Sequence, residues 1–409
     1  MSQIKLQRGT KDIFGTDARK YNFITKVAQE VFERFGYERI ITPTFESTTL
    51  FQRGIGEDTD IVEKEMYTFL DKGNRSITLR PEGTASVVRS YLEHKMYGQG
   101  QLKKFYYFGQ MFRYERPQAG RYREFNQVGV ESIGSNSTIL DAEIILMCKN
   151  FIEKLGITDI NININSIGCN DCRNIYKQKL VEFLDTVVEE LCEDCKKRYR
   201  KNPLRVLDCK ETRCVDIIKE APMIIDYLDD KCKTNFDEIK RALDIMGIDF
   251  IVNPKLVRGL DYYTNIVFEI ITDKLGAQGT ILGGGRYNKL LEEIGDKDMP
   301  AVGFAAGIER LMMLMDDSIV ETQKEKYSIV WQGEKALRTA LKCNKLLREK
   351  SVVVEMEYEN KSFKAQMKKA SKTGVDFCII IGDTEAEGDK VIIKSMKTGE
   401  QIEMQLENL

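Results

Sequence analysis

Residues 112–131 read FRYERPQAGRYREFNQVGVE. Within them RPQAGR, at 116–121, has the Pro, Gly and polar residues of a loop. It stands between an aromatic-rich run at 103–113 (KKFYYFGQMFR) and a second strand-like run at 125–133. Two strands around a basic loop predict an antiparallel hairpin. Side chains alternate along a strand, so Arg113 and Glu115 share one face, and Gln127, Gly129 and Glu131 share one face of the return strand. Four polar residues beside a glycine suggest the floor of a pocket. Arg113, Arg116, Arg121 and Arg123 all fall in this unit, and a guanidinium bonds two phosphate oxygens at once. A solvated hairpin with cross-strand ion pairs fits the same pattern.

Upstream, Ile24, Val27, Ala28, Val31 and Phe35 recur at helical spacing, and Gly36 supplies a stop. Pro43 places the extended run at 37–45 at a sheet edge or strand end. A short strand at 77–80 precedes a helix through Val87, Val88, Tyr91 and Leu92. Downstream, strands are predicted at 160–164, 266–271 and 280–282, and a helix at 307–315. Between 168 and about 248 the composition shifts: seven of the ten cysteines lie there, among charged helical segments, as in an inserted module. Residues 316–326 read as a linker. Beyond it, strands at 327–331, 352–356 and 377–381 alternate with helices at 334–350 and 362–373, then a hairpin, which predicts a small α/β domain.

A chain of 409 residues has room for two to three domains. Its 62 Lys plus Arg against 64 Asp plus Glu give a net charge of −2, which excludes a polycation but not a local basic groove. No apolar run approaches the ~20 residues of a membrane span, and 1–12 carries no visible secretory signal. Reduced thiols in a cytoplasm are therefore expected. The single histidine, His94, excludes a zinc protease HExxH site and leaves any His-based triad only that residue. It is assigned no role.

Other constellations carry anion chemistry. LVRGLDYYT, at 256–264, puts Arg258 before a glycine and two tyrosines; as a bland alternative it is a turn into a strand. LGGGRYNKLL, at 282–291, has three bare glycines on which a flat ligand could lie, but neither a dinucleotide fingerprint nor a P-loop. In GFAAGIERLMML, at 303–314, Arg310 sits in apolar company and needs an anionic partner, structural or ligand. Cys169-x2-Cys172 and Cys192-x2-Cys195 have the spacing of a four-thiolate zinc site, with Cys209, Cys214 and Cys232 as alternative ligands; small buried thiols are the other reading. Lys361, Lys364, Lys368 and Lys372 form one face of a predicted helix, opposite Phe363, Met367 and Ala370, either a solvated face or a track for a nucleic-acid backbone.

In this order these residues resemble the histidyl-tRNA synthetases, a class II aminoacyl-tRNA synthetase family, over essentially the whole length. GYERIITPTFESTTLF (36–51) is similar to the first class motif, a dimer interface, and LRPEGT (79–84) to the amino-acid-binding loop. The Arg113 hairpin is similar to the second motif and GIERL (307–311) to the third, and LVRGLDYYT resembles a signature peculiar to the family. The resemblance implies an α+β catalytic domain on an antiparallel sheet (1–166 and 249–318), a helical Cys-rich insertion (167–248) and an α/β anticodon-binding domain (327–409).

It further implies histidine, ATP with Mg²⁺, and tRNA(His) as partners of a cytoplasmic homodimer, and no metal in the active site. Arg113 and Arg258 would bind the α-phosphate and the histidine carboxylate, and Arg310 the γ-phosphate. Glu115 and Phe125 would hold adenine. Glu82, Thr84 and Gln127 would receive the α-amino group, Glu131 and Tyr263 would grip the imidazole, and Tyr262 and Tyr287 would line its pocket. Asn126, where many relatives carry His, alternates away from Gln127 and is expected to matter little to the chemistry. The alternative is a silent paralogue regulating ATP phosphoribosyltransferase. Such relatives tend to lose the ATP-binding arginines and the last domain.

Overall fold

A computed structural model describes residues 3–56, 59, 61–100, 102–207, 209, 211–320, 325–350 and 352–409, without the side chains of 99, 277 and 278. Its contacts separate two units, Met1–Val320 and Glu321–Leu409. Of the expected linker, 321–324 lies outside the described residues.

The hairpin forms as expected: Lys103–Phe112 and Glu124–Ile133 pair antiparallel, with Phe105 opposite Glu131 and Gly109 opposite Gln127. It belongs to an eight-stranded sheet. After it come Ala301–Gly307, Thr280–Arg286, Thr264–Ile271 and Asn161–Ser166, each antiparallel to the last. Two-residue parallel strands, Glu38–Arg39 and Ile251–Val252, close the edges. Pro43 lies past the edge strand Glu38–Arg39, where its missing N–H removes no ladder bond. A second, three-stranded sheet joins Phe45–Ser47, Ser76–Leu79 and Tyr67–Leu70.

Alternation gives the large sheet two unlike faces. Val128, Val130, Phe268 and Phe304 point to one side, against helices Gly15–Arg34 and Thr138–Lys154. Phe32 is the centre of that layer, its ring 5.3 Å from Phe151, 5.7 Å from Phe304 and 5.9 Å from Tyr106. Fully buried, it is a residue whose truncation costs about 3–5 kcal/mol. The first helix ends at Arg34, and Gly36 follows with φ +79°, a left-handed stop that favours glycine. The other sheet face is left for Gln127, Gly129 and Glu131.

The Cys-rich stretch shares cores with its neighbours. Helix Asp230–Ile245 sends Phe236, Ile239 and Leu243 into the helix-side layer. Leu180, Leu184, Cys195 and Cys214 join Tyr262, Tyr263 and Tyr287 in a second cluster on the opposite sheet face. Here one expectation fails, because the two C-x2-C pairs do not meet. Cys169 and Cys172 group with Asp229 and Cys232, and Cys192 and Cys195 group with Cys209 and Cys214. Helix Asn170–Thr186 starts at the first pair, with Cys169 as its N-cap and Cys172 in its first turn, and its 17 residues carry the chain ~25 Å, at 1.5 Å per residue, towards the second.

The second unit is a five-stranded mixed sheet: Val353–Met356, Lys326–Trp331 and Phe377–Ile381 run parallel, and Lys390–Ser395 with Gln401–Gln405 adds an antiparallel hairpin. Trp331 buries its ring and donates Nε1–H to the Glu357 carbonyl at 2.7 Å. Helix Phe363–Thr373 starts after Lys361, which instead pairs with Glu359 at 2.8 Å and Glu357 at 3.6 Å. The expected four-lysine face therefore reduces to the exposed Lys364, Lys368 and Lys372.

Candidate active site

Three arginines distant in sequence line one cavity of about 480 Å³: Arg113 just past the Lys103–Phe112 strand, Arg258 after Ile251–Val252, and Arg310 in helix Ile308–Leu314. Glu115, Phe125 and Gln127 line the same cavity. Arg113 donates Nε–H to the Pro81 carbonyl at 2.9 Å, and its Cζ lies 5.4 Å from the centre of the Phe125 ring. Glu115 sits 3.8 Å from Arg113 and 3.4 Å from Arg121. Burial, and then the nearby Arg121, lower the Arg310 pKa from its ordinary value. Cations crowded into a partly dry cavity favour an anionic ligand.

The glycine run works differently from its sequence reading. A Cβ on Gly283 would fall 2.4 Å from the Arg258 guanidinium, and one on Gly285 would fall 2.9 Å from Tyr263. Arg258 and Tyr263 therefore pack closely on these two glycines, while Gly283 still lines the cavity. Gly284 faces the opposite layer, where its Cβ would meet Phe268 and Phe304. Arg258 is ion-paired with Glu269, which also accepts from Thr280 Oγ1 at 3.1 Å.

Glu82, Thr84, Glu131, Tyr262, Tyr263 and Tyr287 are buried and stand outside the lining of that cavity. Tyr263 links the two groups, since Arg258 Cζ is 5.9 Å from its ring centre. Thr84 Oγ1 donates to Glu131 at 2.7 Å, and the Tyr287 hydroxyl donates to the second Glu131 oxygen. The rings of Tyr262 and Tyr263 lie 4.8 Å apart, and those of Tyr262 and Tyr287 5.5 Å. Burial pushes the Glu131 carboxyl up to about 8, against the hydrogen bonds from Tyr287 and Thr84. Glu82 is raised by burial too, and accepts from the backbone N–H groups of Thr84 and Ala85 at 2.7 Å each, opening helix Thr84–Glu93. Gly303 leaves room for Glu131, because a Cβ there would lie 2.1 Å from its carboxylate.

Some participants were missed in the sequence. Tyr107 donates to Glu131 at 3.4 Å; its odd-numbered parity with Arg113 along the strand was an available signal. Glu269, a charge inside the apolar strand TNIVFEII, was another. Asn126 holds Glu309, the neighbour of Arg310, through its backbone N–H at 2.9 Å and its side-chain amide at 2.8 Å. Arg205, from the Cys-rich stretch, lines the cavity and donates to the Gly259 carbonyl, and no local pattern marks it. His94 is exposed at the C-terminal cap of helix Thr84–Glu93, outside the cavity lining.

Guanidinium groups gathered in one cavity on an antiparallel sheet, beside a buried polar cluster, fit the class II aminoacyl-tRNA synthetases, and the fold is of that class. The histidyl-tRNA synthetase family model matches residues 9–311, and the anticodon binding domain model matches 324–409. The histidine–tRNA ligase of Halothermothrix orenii is 53% identical over 409 residues, 99% of this chain and 98% of that protein. That of Caldanaerobacter subterraneus subsp. tengcongensis is 47% identical over the same shares. The apo S. aureus histidyl-tRNA synthetase structure matches with a TM-score of 0.81 at 40% identity, over 99% of this chain and 98% of that one. The chain belongs to the histidyl-tRNA synthetase family. An ATP phosphoribosyltransferase regulatory subunit/histidyl-tRNA synthetase from Bacillus halodurans, 19% identical with a TM-score of 0.65 over 90% of this chain and 97% of that one, shares the fold.

Proposed function

We propose that the chain is a histidine–tRNA ligase in which Arg113, Arg258 and Arg310 drive activation of histidine by ATP. The carrying observation is their convergence on one cavity, joined through Tyr263 to the buried Glu131 cluster. In the first step the histidine carboxylate attacks the α-phosphorus in line and pyrophosphate leaves. Both reactants are anions, so catalysis is alignment and charge neutralisation, with no protein nucleophile. Arg113 and Arg258 hold the α-phosphate and carboxylate, and Arg310 the γ-phosphate. Phe125 stacks on adenine and Glu115 touches its edge. Mg²⁺ carried by the nucleotide would supply further neutralisation of phosphate charge, and the wall carboxylates Glu115, Glu269 and Glu309 are of the kind that would hold it. In the second step the 3′-hydroxyl of tRNA(His) attacks the activated carbonyl.

Glu82, Thr84 and Gln127 receive the α-amino group. Glu131 and Tyr263 take the imidazole, with Tyr262 and Tyr287 beside it. A competitor without ring N–H groups would forgo its hydrogen bond to the buried Glu131 while still losing its own hydration, which disfavours it. Residues 1–166 and 249–318 serve as the catalytic core, 167–248 as the insertion and 327–409 as the anticodon-binding domain. Ile41 and Phe45, 77% and 55% exposed, support a homodimer through 36–51. The chain works in the cytoplasm; among the described residues no helix is long and apolar enough to cross a membrane.

ATP–pyrophosphate exchange that requires histidine tests the reading. No exchange, with activation of an ATP phosphoribosyltransferase instead, would establish the regulatory paralogue. The retained three arginines and the C-terminal α/β unit argue against that outcome.

A further inference from the structure

The seven cysteines between 169 and 232 sort without remainder into two groups. Cys192, Cys195, Cys209 and Cys214 bring four sulfurs within 4.8 Å of one another. Cys169, Cys172 and Cys232 do the same with a carboxylate oxygen of Asp229. The other three, Cys148, Cys343 and Cys378, are buried outside both groups. We propose that each group binds one zinc ion, the first through four thiolates and the second through three thiolates and Asp229.

Four ligands at the Zn–S distance of about 2.3 Å around a tetrahedron put their sulfurs about 3.8 Å apart. The Cys192 and Cys209 sulfurs are 3.8 Å apart, and those of Cys169 and Cys172 are 3.5 Å apart. All ten cysteines are free thiols, so no disulfide competes for these atoms. Donors already point at the sulfurs. The Cys192 N–H lies 3.2 Å from Cys214 Sγ, the Asp229 N–H 3.2 Å from Cys172 Sγ, and the Arg198 guanidinium 3.6 Å from Cys195 Sγ. Such contacts stabilise ligating thiolates and fix their direction. Thiols acting only as small buried hydrophobes have no reason to meet in fours. A sulfur-rich tetrahedral set selects zinc among common divalent ions.

The ions would do mechanical work. Helices Glu193–Arg198 and Thr212–Ile218 have six and seven residues, too short to hold their own shape. The loop between them carries Asn202 and Arg205, which bond Asp261 and Gly259 in the segment that presents Arg258. Metal in the first group would anchor one end of that brace at Cys192 and Cys195 and the other at Cys209 and Cys214.

The test is elemental analysis of the full-length protein, purified without a polyhistidine tag. Two zinc ions per chain are expected, falling to one in Cys209→Ser and to one in Cys232→Ser. One or none in the parent protein, a different metal, or unchanged zinc in both variants overturns the proposal. Should a variant fail to fold, cobalt-grown parent protein answers the same question. Intense visible bands with thiolate-to-cobalt charge transfer, for two tetrahedral ions, are expected, and their absence refutes it.

Discussion

The side-chain amide of Asn202 donates to both carboxylate oxygens of Asp261, at 3.2 and 3.1 Å. This forked contact helps tie the Cys-rich stretch to the segment that carries Arg258 into the cavity. A hydrogen bond to a charged group is worth about 1.5–3 kcal/mol. Asn202→Ala should therefore slow exchange at saturating histidine roughly ten- to a hundredfold. The KM for histidine should change less, because the imidazole pocket is untouched. Initial-rate kinetics, beside a thermal melt to exclude unfolding, check this.

Arg258→Ala should suppress adenylation about a hundred- to thousandfold while weakening histidine binding far less. Its guanidinium lines the cavity and reaches the buried tyrosine cluster at Tyr263. Single-turnover adenylation and equilibrium binding of histidine measure the two separately. Equal losses in both would mean the residue serves binding and not neutralisation of charge at the reacting phosphate.

Gly283→Ala should imitate that defect without removing a charge. The added methyl meets the mobile end of Arg258, so the guanidinium moves and the backbone does not. A displacement of about 1 Å in a positioned group costs roughly a hundredfold in rate. Exchange kinetics and an unchanged melting temperature would bear this out.

Glu131 makes stability depend on pH in a definite direction. Its folded pKa of about 8 exceeds the ordinary glutamate value of 4.5, so the folded state binds the proton more tightly. The stabilisation is full below about 4.5 and is lost as pH climbs from there through 8. Urea denaturation at pH 5.5 and pH 8 should show a steeper fall in the parent protein than in Glu131→Gln.

Lys364, Lys368 and Lys372, changed together to Glu, should raise the KM for tRNA several-fold and leave histidine-dependent exchange intact. Lower salt should widen the difference. Aminoacylation against exchange, at two ionic strengths, separates the RNA surface from the catalytic one.

Patterns of short range were readable from the chain alone. Gln127, Gly129 and Glu131 share a face because strand alternation is local, and the α/β order of the last unit follows from strand and helix periods. What escaped was set by distance. That Cys172 meets Cys232 rather than Cys192 depends on how helix Asn170–Thr186 lies, and spacing does not encode that. The glycines at 283–285 showed that room is needed there, but not that Arg258 and Tyr263 approach them so closely. Arg205 reaches the cavity from a loop whose placement rests on a shared core.

His94, the sole histidine, sits exposed at the end of helix Thr84–Glu93. In magnetic resonance the protein therefore contributes a single imidazole background, and a solvent-facing one. Isotope-labelled substrate would be visible against near silence, and its tautomer and charge inside the pocket could be read directly during turnover.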